Sequence, residues 1–181
     1  MIVLVLDTET SGLIESRLRR LERQPFIIEF AGILVNIATK EVLEEYSTFV
    51  RPPRKADVSE KITQITGITW DMVEGAPPFA KVAPRIKSMI EAAPAVAAHN
   101  FSFDQGMIDI EFQRLKETVK WPEKRICTVE ASVYLKGFNL DLSSLHLEMM
   151  GYIFEDAHRA AVDTKALVDC LVAMHEKGMV A

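Results

Sequence analysis

The chain changes hydrophobic period along its length. Ile2 to Leu6 is a short, continuous apolar run, the pattern of a strand buried on both faces. Phe26–Val35 and Val42–Val50 are rich in β-branched and aromatic residues and flank Asn36-Ile-Ala-Thr-Lys40. They predict a hairpin, which Pro52-Pro53 ends. Helical spacing takes over at 79–92, 103–117, 143–150 and 159–177, with a short strand predicted at Ala95–Ala98. Ile126–Leu135 reads as a strand running into a helix. Three early strands in a meander, followed by strands and helices in alternation, predict an α/β or α+β architecture around a mixed sheet.

Composition narrows the class. A length of 181 residues suits one domain over 1–181, and 49% apolar with 26% charged residues is globular. No internal repeat or Gly/Ser/Pro-rich linker divides the sequence. No apolar run approaches the roughly 20 residues that span a bilayer. Met1 leads into Ile-Val-Leu-Val-Leu without a basic stretch, so neither a membrane span nor a signal peptide is expected. The two cysteines, Cys127 and Cys170, form no CxxC pair, which predicts a reducing, cytoplasmic setting.

The formal net charge of −5 argues against a static binder that neutralises phosphates. It says little about an enzyme whose acids hold cations, because a bound metal reverses the local field. Two basic clusters stand out, Arg17, Arg19, Arg20 and Arg23, and Lys116, Lys120, Lys124 and Arg125. The second reads as a solvated helix face.

The acids carry more chemistry. Asp7 and Glu9 stand two apart at the end of the first strand, so their carboxylates share a face. Alone, the pair reads either as a solvated strand end before Ser11-Gly12 or as a cation site. Ser102-Phe-Asp-Gln105 fits a capping box, which places Asp104 in the first turn of a helix, where an acid also suits the dipole. Ile108, Phe112 and Leu115 lie on Asp104's side of that helix, so the acid points toward the core. Asp163 repeats the pattern with Leu167, Cys170 and Met174. Carboxylates on packing faces need partners, and the simplest shared partner is a cation. Oxygen ligands suit Mg²⁺ or Mn²⁺.

His158 stands five residues before Asp163, and in one ideal helix the two would point roughly 140° apart. They can serve one site only if His158 sits in the loop or at the helix start. There it is either a surface histidine or a group that takes a proton from water near neutral pH.

In order, Asp7-Thr-Glu9-Thr-Ser-Gly-Leu13, His99-Asn-Phe-Ser-Phe-Asp104 and His158-Arg-Ala-Ala-Val-Asp163 resemble the motifs of the DEDDh, or DnaQ-like, exonucleases. That family includes the proofreading subunit of bacterial replicative DNA polymerase, ribonuclease T and oligoribonuclease. Ile65-Thr-Gly-Ile-Thr69 is similar to a loop many members carry, and the resemblance runs from position 3 to about 175.

The resemblance implies an RNase H-like fold, a central mixed sheet with helices on both sides. It implies 3′–5′ release of nucleoside 5′-monophosphates with two Mg²⁺ or Mn²⁺ ions per active site. Asp7, Glu9, Asp104 and Asp163 would hold the metals and His158 would be the general base. The backbone around Thr8, with Thr10 and Leu13, would meet the terminal nucleotide, and Asn100, Phe103 and Ile68 would flank its base or sugar. The expected substrate is nucleic acid with a free 3′ end, single-stranded DNA ahead of RNA. A DNA polymerase partner and a homodimer are further expectations. The stretch from Ile14 to Pro25 is longer and more basic than in compact members, and it reads either as a solvated helix whose arginines pair with Glu15 and Glu22 or as a segment that meets the phosphate backbone. An exoribonuclease, a non-catalytic nucleic-acid binder and an RNase H-type endonuclease are the competing readings.

Overall fold

The computed structural model describes residues 1–15, 20–155 and 157–180. Five strands, β1 (Ile2–Thr10), β2 (Ile27–Asn36), β3 (Glu41–Phe49), β4 (Ala95–Ala98) and β5 (Lys124–Cys127), form one sheet in the order β3-β2-β1-β4-β5. The β1–β2 and β2–β3 pairs are antiparallel, and the β1–β4 and β4–β5 pairs are parallel. The predicted meander and mixed sheet are therefore present.

Among the described residues, seven α-helices flank the sheet: α1 (Glu60–Thr66), α2 (Trp70–Val73), α3 (Phe79–Ala92), α4 (Phe101–Arg114), α5 (Thr128–Lys136), α6 (Leu142–Met150) and α7 (Ala160–Glu176). Strand alternation divides the core in two. Leu4, Leu6, Phe30 and Val96 pack with buried residues of α3 and α4, while Val3, Val5, Ile33 and Ala97 pack with Leu145 of α6 and Leu167, Cys170 and Leu171 of α7. No described helix is long and apolar enough to cross a membrane.

The stretch 126–135 resolves into the end of β5 followed directly by α5. The predicted helix from 103 instead begins at Phe101 and ends at Arg114. The capping-box reading of Ser102 is corrected. Asn100 precedes the helix in a left-handed conformation (φ 72°), and the Ser102 hydroxyl donates to Asn100 Oδ1 at 3.3 Å. Asparagine tolerates that backbone better than most side chains, so the chain turns into the helix earlier than the serine pattern suggests. At the other end, the left-handed backbone of Lys116 (φ 58°) stops the helix short of 117.

The long connection after β1 is fastened to α4. Arg114 Nη2 donates to the carbonyls of Leu21, Gln24 and Pro25 at 2.9, 2.7 and 3.0 Å, and its guanidinium lies 4.0 Å from the Phe26 ring centroid. Within the connection, the Gln24 amide bonds both the N–H and the carbonyl of Glu15. Arg17 and Arg19 of the basic insertion lie outside the described residues, and Arg20 and Arg23 are exposed.

Candidate metal centre and active site

Alternation along β1 turns Asp7 and Glu9 toward the face covered by α7 and turns Thr8 and Thr10 toward the face covered by α4. Asp163, in the first turn of α7, completes a cluster with the two strand acids. One carboxylate oxygen from each of Asp7, Glu9 and Asp163 lies within 4.8 Å of the others. Asp163 Oδ2 accepts from the backbone N–H of His158 at 3.1 Å, whereas Asp163 Oδ1 is buried with no hydrogen-bond partner. A buried carboxylate oxygen left open beside two further acids is the arrangement a hard divalent cation satisfies. The donor set is all oxygen, and it fits a hard divalent cation.

Asp104 reaches the same strand end from α4. It is buried, and its Oδ1 accepts from the N–H (3.0 Å) and hydroxyl (2.7 Å) of Thr8. These bonds tie the acid to β1 beside Asp7, outside the tight group of three.

Burial acts on all four acids, and neighbouring negative charge adds to it at Asp7, Glu9 and Asp163. Desolvation, then the charges of Asp104, Glu9 and Asp163, holds Asp7 well above the usual carboxylate range. Glu9 is pushed up to about 8, first by burial and then by Asp163 and Glu29. Burial raises Asp104 to about 7 against the opposing bonds from Thr8. Asp163 rises to about 6, again by burial, with the His158 N–H bond opposing. Without a cation, this cluster favours protons.

His158 lies in the loop before α7, in a left-handed conformation (φ 69°), and is exposed. This is the placement that allows it to share a site with Asp163. Arg159, at the helix N-terminus, sends its guanidinium to Glu29 on β2, with Nε 3.1 Å from Oε2 and Nη2 3.0 Å from Oε1.

The expected nucleotide contacts divide. Leu13 is 80% exposed, just beyond the acid-bearing strand. Asn100 is exposed and Phe103 is partly buried against the α4 side of the core. Three side chains are committed elsewhere. Thr8 bonds Asp104, Thr10 donates to the Gly12 carbonyl at 2.8 Å, and Ile68 is fully buried with Ile28, Val58 and Val73. Ile68 offers no side-chain surface to a nucleotide, because α1 and α2 close over it.

Glu29 escaped the sequence reading. The signal was an acid inside the apolar run Ile27-Ile28-Glu29-Phe30, which is costly unless a specific partner is present. Its pairing opposite Glu9 appears only in the β1–β2 register.

The exonuclease family model RNase_T matches residues 4–171. A DNA polymerase III PolC-type protein of Clostridium perfringens is 32% identical over 169 residues, which cover 92% of this chain and 11% of that protein. The Bacillus subtilis protein of the same name is 30% identical over 172 residues, covering 94% and 11%. The chain thus spans about a tenth of the length of these relatives. Among solved structures, the nuclease domain of 3′hExo, a DEDDh family member bound to rAMP, superposes with a TM-score of 0.77 at 21% identity, covering 98% of this chain and 93% of that one. Exonuclease X in complex with 5′-overhanging duplex DNA superposes at 0.67 with 23% identity, covering 99% and 95%. These structures share the RNase H-like exonuclease fold.

Proposed function

The chain belongs to the RNase_T exonuclease family, and from that premise we propose that residues 1–181 act as one exonuclease domain. It removes nucleoside 5′-monophosphates from the 3′ end of DNA. The observation that carries this is the convergence of Asp7, Glu9 and Asp163 within 4.8 Å, with Asp163 Oδ1 left open. Asp7, Glu9 and Asp163, with Asp104 beside them, would hold two divalent ions, Mg²⁺ or Mn²⁺, which when bound would lower the pKa of the attacking water and offset charge on the departing 3′-oxygen.

The protein's own groups do the rest. His158, exposed and bound through its backbone N–H to Asp163, takes the proton of the attacking water through its imidazole. The water oxygen bonds to phosphorus as the P–O3′ bond breaks, and the departing 3′-oxygen takes a proton from solvent, leaving a 3′-hydroxyl on the shortened strand and a free nucleoside 5′-monophosphate. Leu13 offers an apolar surface to the terminal base, a contact that tolerates any sequence. Asn100 and Phe103 flank the sugar.

Similarity to polymerases of the PolC type supports DNA as the substrate and a DNA polymerase as the partner, with the reaction proceeding in the bacterial cytoplasm. A complete set of four acids and a histidine supports catalysis over mere binding.

The test is a 5′-labelled oligonucleotide, as single-stranded DNA and as RNA, with Mg²⁺, Mn²⁺ or EDTA. The expected result is a ladder shortening one nucleotide at a time, faster on DNA and abolished by EDTA and by Asp7→Ala. Internal cuts, or no shortening in either metal, would overturn it.

A further inference from the structure

Glu29 is 3% exposed and stands directly opposite Glu9 across the β1–β2 pair. Both of its oxygens are occupied. Oε1 accepts from Arg159 Nη2 at 3.0 Å, and Oε2 accepts from Arg159 Nε at 3.1 Å and from the Ala160 N–H at 3.0 Å. The carboxylate therefore caps the start of α7 from a different element and grips its N-cap residue, Arg159, through a two-pronged, charge-assisted contact. The guanidinium also lies over the Phe49 ring, 5.0 Å from its centroid, which holds its plane.

The residue before this grip is His158 and the residue one turn after it is Asp163. The His158 N–H is held by Asp163 Oδ2 at 3.1 Å, so the turn 158–160 is pinned by two carboxylates, one from α7 and one from the sheet. His158 has a left-handed backbone, which a β-carbon disfavours and which therefore needs such pinning. Arg159 also neutralises Glu29. Without it, a fifth buried negative charge would face the cluster of Asp7, Glu9 and Asp163.

We propose that Glu29 and Arg159 form a positioning pair for the exonuclease reaction, setting where the turn before α7 presents the His158 imidazole and the Asp163 carboxylate. The pair touches neither the substrate nor the metals. This rests on the function proposed above, and it assigns two residues a role that the acid and histidine motifs do not contain.

The experiment compares wild type with Arg159→Gln, Arg159→Lys, Glu29→Gln and the double variant Glu29→Gln/Arg159→Gln. It reads kcat and KM on single-stranded DNA with Mn²⁺, calorimetric Mn²⁺ binding without DNA, and thermal unfolding in EDTA. Each glutamine substitution is expected to lower kcat about 10- to 100-fold and to weaken Mn²⁺ binding, as loss of groups that orient metal ligands does. KM should stay within about threefold, and the double variant should be no worse than the poorer single one. Arg159→Lys keeps the charge without the fork, so it should recover only part of kcat. It also serves if the glutamine variant does not fold.

A raised KM with unchanged kcat would make Arg159 a substrate contact and overturn the proposal. Unchanged kcat with unchanged Mn²⁺ binding, or fully additive losses, would overturn it too. A wild-type protein that shortens no strand would instead sink the exonuclease reading, and the Mn²⁺ isotherms would still test the pair.

Discussion

Asp104 and Thr8, ninety-six residues apart, are joined twice, because one oxygen of the Asp104 carboxylate accepts both the N–H and the hydroxyl of Thr8. This double bond-pair locks the first turn of α4 to the C-terminal end of the strand that carries Asp7 and Glu9. It stabilises the charged form of Asp104 against the cost of its burial. Thr8→Val removes the hydroxyl and keeps the shape. The expected loss is about 1.5–3 kcal/mol, the range for a hydrogen bond to a charged group. Urea unfolding at pH 8 measures it, and an unchanged midpoint would show that the backbone bond alone holds Asp104.

The acids also set a pH dependence. Their folded-state pKa values lie above the unfolded ones, with Glu9 at about 8, Asp104 at about 7 and Asp163 at about 6. The folded, metal-free protein therefore binds more protons than the unfolded chain, and the contribution of these groups is lost as pH rises through those values. Thermal unfolding in EDTA should fall in midpoint between about pH 5 and pH 8.5. Mn²⁺ should raise the midpoint more at pH 8 than at pH 5.5, because binding must displace protons at the lower pH. A rising midpoint in EDTA over this window would contradict the assigned repulsion.

Asp163→Asn separates stability from chemistry. The amide keeps an oxygen for the His158 N–H and removes one charge from the crowded cluster. In EDTA at pH 8 the variant should unfold at or above the wild-type temperature. With Mn²⁺, its kcat should fall by about 10²–10³-fold or more. Parallel melting curves and product ladders read both, and a destabilised but active variant would count against a metal role.

Leu13 offers the opposite dissection. At 80% exposure it contributes little to the core, so Leu13→Ala should change stability by less than about 0.5 kcal/mol. Loss of the apolar contact proposed for it with the terminal nucleotide should raise KM severalfold and leave kcat nearly unchanged. Steady-state kinetics on a short single-stranded DNA decides it, and an unchanged KM would remove Leu13 from the nucleotide contacts.

Much of the site was legible in one dimension because each acid sat on a face whose periodicity was plain. Asp104 shared a stripe with Ile108 and Phe112, Asp163 shared one with Leu167 and Cys170, and all four of those apolar residues are buried. Ser102 misled because a capping box is a local pattern, and the left-handed Asn100 before it started the helix earlier. Ile68 misled for a different reason. Whether an apolar loop residue faces a ligand or a core depends on what closes over it, and here α1 and α2 do.

What the sequence determined by itself was the five strands, the longer helices and the inward aim of their acids, since hydrophobic period and strand alternation are local properties of the chain; α1 and α2, each two turns or fewer, were too short to show a period. The tertiary structure alone decided that Asp7, Glu9 and Asp163 meet within 4.8 Å while Asp104 turns to Thr8. It alone put Glu29 opposite Glu9 and within reach of Arg159, 130 residues further along the chain. Strand register and the docking of α7 on the sheet fix those partners, because they depend on the packing of the whole core and no short stretch of sequence encodes them.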